Sequence, residues 1–166
     1  MVFRVAGPIS GAGGGALGYY GLFISTVNQT NAGTTSANLV ALDNSPVRAS
    51  GMTHSAGVIT FANAGKYQVI MELAFTASTG TNPTVSVWIA QNGVNIANSL
   101  QDFQLLGGAG TVQISSCVWI LDIAVNDTFQ IYWRSTNINT TLAYQGPLTS
   151  PTRPASPSAI VSITQV

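Results

Sequence analysis

The stretch KYQVIMELAFTA, residues 66–77, alternates apolar side chains with mostly polar ones. In an extended chain successive side chains point to opposite sides, so one face collects Tyr67, Val69, Met71, Leu73 and Phe75. The opposite face carries Lys66, Gln68, Ile70, Glu72 and Thr76. A helix, with 3.6 residues per turn, cannot keep a two-residue period on one side. This stretch therefore predicts a long β-strand with one face buried.

Comparable runs of β-branched and aromatic residues recur along the chain, separated by Gly, Asn and Pro. The runs cover residues 19–29, 37–44, 58–61, 84–91, 112–125, 127–136 and 159–166, with a proline-rich connection at 150–158. Asn92-Gly93 is a two-residue hairpin signal. We expect eight to ten strands and no crossover helices, which excludes a parallel sheet. The prediction is one all-β domain, an antiparallel jelly-roll sandwich over residues 19–166.

The charge content limits the possible partners. Only 6% of the residues are charged and the formal net charge is zero, whereas about 25% is typical of soluble domains. Such a chain cannot bind a phosphate backbone by counterion release, so we expect no nucleic-acid binding. No run of 18 apolar residues predicts a membrane span. Because polarity comes mainly from Ser, Thr, Asn and Gln, we interpret the chain as part of a fixed assembly.

Residues 117–125 are apolar on both faces, unlike the strand at 66–77. The alternating sets are Cys117, Trp119, Leu121 and Ile123 on one face and Val118, Ile120 and Ala124 on the other. Only Asp122 interrupts them. A strand buried on both faces needs a cover, and with one helix-free domain that cover is another subunit. The single cysteine, Cys117, is predicted to be an inert core thiol.

The glycine-rich start of the chain contains a possible cofactor motif. Gly11–Ala16 satisfies G-x-G-x-x-A, but no strand precedes it, strand-like sequence follows it, and the next acid is Asp43. We therefore expect no dinucleotide and interpret residues 1–18 as an arm that contacts a partner. The N-terminal sequence lacks the long apolar run of a signal peptide.

Catalytic groups are few. His54, the only imidazole, is expected to be exposed in a loop, with nothing to position it beside Ser55 and an aspartate. Glu72 and Asp122 could be neighbours on long strands, but a glycosidase pair would need a cleft between them. We favour the alternative that one of these acids is buried and pairs with Arg134 or Lys66, or lines a trimer axis. No cluster has metal-ligand spacing, so we predict no enzyme, metal or cofactor.

The three tryptophans are predicted to differ in environment. Trp119 and Trp133 fall in apolar strands and belong to the core or an interface. Trp88 lies opposite the face of Val85, Val87 and Ile89, so it is at an interface or exposed. If exposed, it could be a stacking platform for a sugar.

The chain resembles the complement globular-head and tumour necrosis factor-like jelly rolls. FANAGKYQVIMELAFTAS is similar to a family strand pair at Phe61, Gly65, Tyr67, Val69 and Phe75. VSVWIAQNGVNIANS, ISSCVWILDIAVNDTFQIYW and SAIVSITQV resemble three later strands, in order, so the likeness covers residues 19–166. Asn126 stands where a Gly is usual, and Val161 and Ile163 replace Phe-Gly in the closing strand.

The resemblance implies a homotrimer, since family members are trimeric heads on secreted ligands, bacterial filaments and phage virion proteins. We expect its interface to use Val118, Trp119, Ile120, Leu121, Ile123 and Tyr132. A calcium ion at the trimer apex, seen in some relatives, would depend on Asp102 and Asp43.

The functional prediction is a capsid decoration subunit on a virion surface, made in the host cytoplasm, with the major capsid protein or another virion protein as partner. The arm residues expected to attach it are Phe3, Arg4, Pro8, Gly13, Gly14 and Leu17. The alternatives are a receptor- or glycan-binding tip of a phage fibre and a secreted tumour necrosis factor-like ligand.

Overall fold

A computed structural model describes residues 18–43, 45–78, 82–106 and 109–166, which form sixteen β-strands and no helix. Nine strands have four or more residues, in agreement with the eight to ten expected. The strands are β1 (Tyr20–Ser25), β2 (Gln29–Thr30), β3 (Asn38–Leu39), β4 (Arg48–Ser50), β5 (Met52–Ser55), β6 (Val58–Phe61), β7 (Gly65–Ala77), β8 (Thr84–Gln91), β9 (Val94–Asn95), β10 (Gln101–Gln104), β11 (Gln113–Ile123), β12 (Thr128–Ser135), β13 (Thr140–Leu142), β14 (Leu148–Thr149), β15 (Thr152–Arg153) and β16 (Ala159–Gln165).

Two seven-stranded sheets form a sandwich. The first sheet has the order β2-β13-β7-β16-β1-β4, and β11 pairs with the other edge of β7. The second has the order β10-β8-β12-β6-β5, with β9 beside β8 and β3 beside β12. Every strand pair of the two sheets is antiparallel, as predicted. A small hairpin, β14–β15, spans the start of the proline-rich connection.

The core lies between the sheets and is built from alternate positions of the long strands. All five apolar residues predicted to share one face of β7 are fully buried. Val85, Val87 and Ile89 of β8 meet them from the second sheet and are equally buried. The two-residue period thus assigned the correct face on both strands.

Left-handed residues lie in the β8–β9 hairpin turn and in the connection from β11 to β12, which joins the two sheets. Asn92 and Gly93 have φ values of 54° and 75°, as the predicted type I′ turn requires. Asn126, between β11 and β12, has a φ of 67°. Asparagine tolerates this region better than other non-glycine residues, which explains how it replaces the glycine usual in the resembling family.

His54 does not lie in an exposed loop, and that prediction was wrong. It belongs to β5, which pairs with β6 through the Ala56–Gly57 turn. The two-residue period places His54 on the same side of β5 as the buried Met52. Its ring meets Phe23 edge-on at 5.3 Å, and both ring nitrogens are buried without a hydrogen-bond partner among the described residues.

The predicted core position of Cys117 is confirmed, whereas its inertness stays a prediction. The thiol is buried and donates a hydrogen bond to Oε1 of Gln101, 2.8 Å away on the second sheet. Burial raises the pKa of the Cys117 thiol. The arm predictions, including Gly11–Ala16, Phe3, Arg4, Pro8, Gly13, Gly14 and Leu17, lie outside the described residues.

Candidate functional site

The outward side of the first sheet carries a cluster of apolar side chains, here called the apolar face, among which Gln68, Glu72 and Ser162 also point outward. Its members lie on β11, β7, β16 and β1: Ile114, Val118, Ile120, Ile70, Ile160, Leu22 and Ile24. In one row across the sheet, Val118 is opposite Ile70, which is followed by Ser162 and Leu22. Ile114 and Ile120 are 66% and 64% exposed. Such a patch of large aliphatic side chains on one sheet is typical of an interaction surface.

The position of β11 explains why these side chains are exposed. Within the described residues β11 pairs only with β7, so its other edge is open. Its inward residues, Cys117, Leu121 and Ile123, pack in the core. Because the outward residues Val118 and Ile120 are apolar as well, the strand has the two apolar faces noted in the sequence.

The structure divides the six residues predicted for the trimer interface among three places. Val118 and Ile120 lie on the apolar face. Leu121 and Ile123 are buried between the sheets, and Trp119 packs against the same core. Tyr132 lies on the outward side of the second sheet, where it stacks on Trp88. The interface remains a prediction, and the residues available to it on this sheet are Val118 and Ile120.

The acidic residues on β7 and β11 do not form a pair. Glu72 is opposite Ser116, whereas Asp122 is opposite Lys66, which lies six residues before Glu72 on β7. Asp122 accepts a hydrogen bond from Nζ of Lys66 in an exposed ion pair. The possible neighbourhood of Glu72 and Asp122 is therefore not found. The favoured pairing with Lys66 is found, but the prediction that the paired acid is buried was wrong, because Asp122 is exposed.

A pocket of about 360 Å³ opens on the outward side of the second sheet. Asp102 of β10 and Arg134 of β12 both lie opposite Ser86 of β8, one on each side. Trp88 is two residues further along β8, and Asn95 and Asn98 approach from the chain between β8 and β10. The sequence singled out Trp88, Asp102 and Arg134 separately, but only the strand register brings them together.

Asp43, the other predicted calcium donor, does not lie at this pocket. Its carboxylate accepts hydrogen bonds from the backbone N–H and the hydroxyl of Thr26. In the described ranges no three His, Cys, Asp or Glu side chains are grouped as metal ligands. None of the described segments forms a helix long and apolar enough to cross a membrane.

The fold is a tumour necrosis factor-like jelly roll. The sequence matches no protein-family model and none of the curated proteins. The structure is similar to crystal structures of murine APRIL. At pH 8.0 the TM-score is 0.56 with 11% identity, covering 89% of this chain and 98% of that one. At pH 5.0 the TM-score is 0.56 with 8% identity and the same coverage. At such low identity the likeness concerns the fold alone.

Proposed function

We propose that this chain is a subunit of a homotrimer without catalytic activity, held together through the apolar face. The observation that carries the proposal is the exposure of Ile114, Val118 and Ile120 on one strand of the first sheet. Removing apolar surface from water contributes roughly 25 cal/mol per Å², so burial of these faces would favour association. The tumour necrosis factor-like fold supports the trimeric stoichiometry by resemblance.

Sedimentation velocity tests the assembly. The purified chain is expected to sediment at three times its mass of 17.2 kDa. Val118→Lys and Ile120→Lys bury a charge at the interface and should shift the protein to monomer. Val94→Lys is the matched control, because Val94 is 70% exposed on the opposite sheet and should leave the trimer intact. A monomeric wild-type chain, or equal dissociation by the control, contradicts the proposal.

We propose capsid decoration as the role of this trimer, with the chain on the virion surface and residues 1–18 as the attachment arm. The low charge content supports a place in a fixed assembly, and the resembling family includes phage virion proteins. Deleting residues 1–18 should leave the trimer intact and abolish its co-sedimentation with capsids. A truncated trimer that still coats capsids contradicts the arm proposal.

A secreted tumour necrosis factor-like ligand is the second candidate, because the resembling family includes secreted ligands. Antibodies against the purified chain separate the two roles. Labelling of particle surfaces in fractionated cultures supports decoration. Labelling confined to particle-free medium supports the ligand.

A further inference from the structure

We propose that the pocket on the second sheet binds a neutral saccharide, with Trp88 as the stacking platform and Asp102 and Arg134 as hydrogen-bonding groups. The pocket volume of about 360 Å³ falls within the ~300–1,000 Å³ typical of small-molecule sites. This inference does not rest on trimer formation, because the pocket and the apolar face lie on different sheets.

Trp88 is held in a fixed orientation. Its indole stacks on Tyr132 of the neighbouring strand, with ring centroids 5.8 Å apart and planes 16° from parallel. Its Nε1–H donates a hydrogen bond of 3.0 Å to Oδ1 of Asn95. The indole lines the pocket while Tyr132 does not. Because the ring is already fixed before a ligand binds, binding costs little side-chain entropy.

The charged groups of the pocket are available to a ligand. Asp102 and Arg134 flank Ser86 on either side, so their Cα atoms are about 10 Å apart across two strand spacings. Neither side chain has an ion-pair or hydrogen-bond partner among the described residues. A hydroxyl-bearing ligand between them can donate to the carboxylate and accept from the guanidinium.

This combination of groups selects among ligand classes. An anion would be attracted by Arg134 but repelled by Asp102, and a cation the reverse, so neither gains from both charged groups. A purely apolar ligand would remove water from both charged groups and would offer no hydrogen bonds in its place. A saccharide satisfies all three groups, because its hydroxyls both donate and accept while one side of the ring presents C–H groups to an aromatic face.

Saturation-transfer NMR with the full chain tests the proposal. The probes are glucose, galactose, mannose, N-acetylglucosamine and their disaccharides, with glycine and alanine as zwitterionic comparisons. We expect transfer to at least one saccharide and a shift of the Trp88 indole N–H signal, assigned with Trp88→Phe. Trp88→Ala should weaken binding about tenfold, as loss of an aromatic stacking contact does. Asp102→Asn should also weaken it, and Asp122→Asn, a matched change on the other sheet, should not.

Several results would overturn the saccharide site. These are no transfer to any saccharide, transfer only to the zwitterions, or a bound saccharide that leaves the Trp88 signal unmoved. The last measurement uses the wild-type chain, so it decides the question even if Trp88→Ala fails to fold. A trimer that binds no saccharide would overturn this inference and leave the proposed assembly intact.

Discussion

The rings of Phe75 and Trp133 meet edge to face across the two sheets, with centroids 5.4 Å apart and both side chains fully buried. Trp133 Nε1 is buried without a hydrogen-bond partner among the described residues. The pair therefore joins β7 to β12 by packing alone. Edge-to-face aromatic pairs add about 0.5–1.5 kcal/mol to the effect of burial.

Trp133→Ala is expected to lower the free energy of unfolding by about 3–5 kcal/mol, because it leaves a large cavity. Trp133→Phe should cost clearly less, since it keeps an aromatic ring and removes an indole N–H that has lost its water partner. Urea unfolding followed by circular dichroism measures both. Ile138→Ala, at an exposed position, is the control and should stay within about 0.5 kcal/mol. A phenylalanine as costly as the alanine would contradict the packing argument.

The sandwich could be predicted from the sequence because the sequence patterns that specify its strands and turns are local. The alternation around Tyr67 and Val87 decides which face is buried, and Asn92-Gly93 specifies a turn by its left-handed preference. His54 was misplaced because Ala56, at a φ of 48°, is an unusual residue for such a turn. Ala56 therefore gave no sequence signal for a hairpin turn.

Gly57→Ala should destabilise the protein more than Gly93→Ala. Both glycines have a left-handed φ, 81° and 75°, so each substitution costs about 1–2 kcal/mol in backbone strain. A Cβ at Gly57 would also lie 2.4 Å from the backbone oxygen of Val40, whereas no described atom lies within 4 Å of one at Gly93. Thermal unfolding of the two variants gives the difference. Equal losses would show that the contact with Val40 relaxes freely.

Asp127 is expected to make stability depend on pH. Hydrogen bonds from the Ala124 backbone N–H, Asn92 and Gln91 lower the pKa of its carboxyl. A lowered folded-state pKa contributes stability above the ordinary carboxyl pKa, and that contribution is lost as the pH falls through the folded value. Asp127→Asn should therefore destabilise the protein at pH 7. The NH₂ group of the new amide would face hydrogen-bond donors, from which it cannot accept.

Urea unfolding from pH 7 down to the acid range measures the gap between wild type and Asp127→Asn. We expect the gap to narrow as the pH falls through the carboxyl range. Asp122→Asn, which removes an exposed carboxylate paired with Lys66, controls for the loss of one negative charge. A gap that stays constant with pH would contradict a role for the ionised carboxylate.

The candidate sites were less predictable than the core because they depend on long-range register. Asp102 and Arg134 are 32 positions apart and meet only because both strands pair at Ser86. Likewise the run around Ile120 shows two apolar faces, but which one is exposed depends on the pairing with β7. Tyr132 was predicted to lie at the interface, whereas the β12 register directs it toward Trp88.

Cys117 should react slowly with a thiol reagent in the folded protein. Its thiol is buried, its pKa is raised by that burial, and it donates a hydrogen bond to Gln101. Because the thiolate is the reactive form, a raised pKa leaves less of it at neutral pH. Labelling with a disulfide reagent at pH 7 should be slow in buffer and fast in concentrated urea.

In a Cys117→Ala background, Ser55→Cys places a thiol at an exposed position and should label rapidly without urea. Rapid labelling of Cys117 in the native wild type would show that β11 opens readily from β7, which would weaken the case for a rigid apolar face.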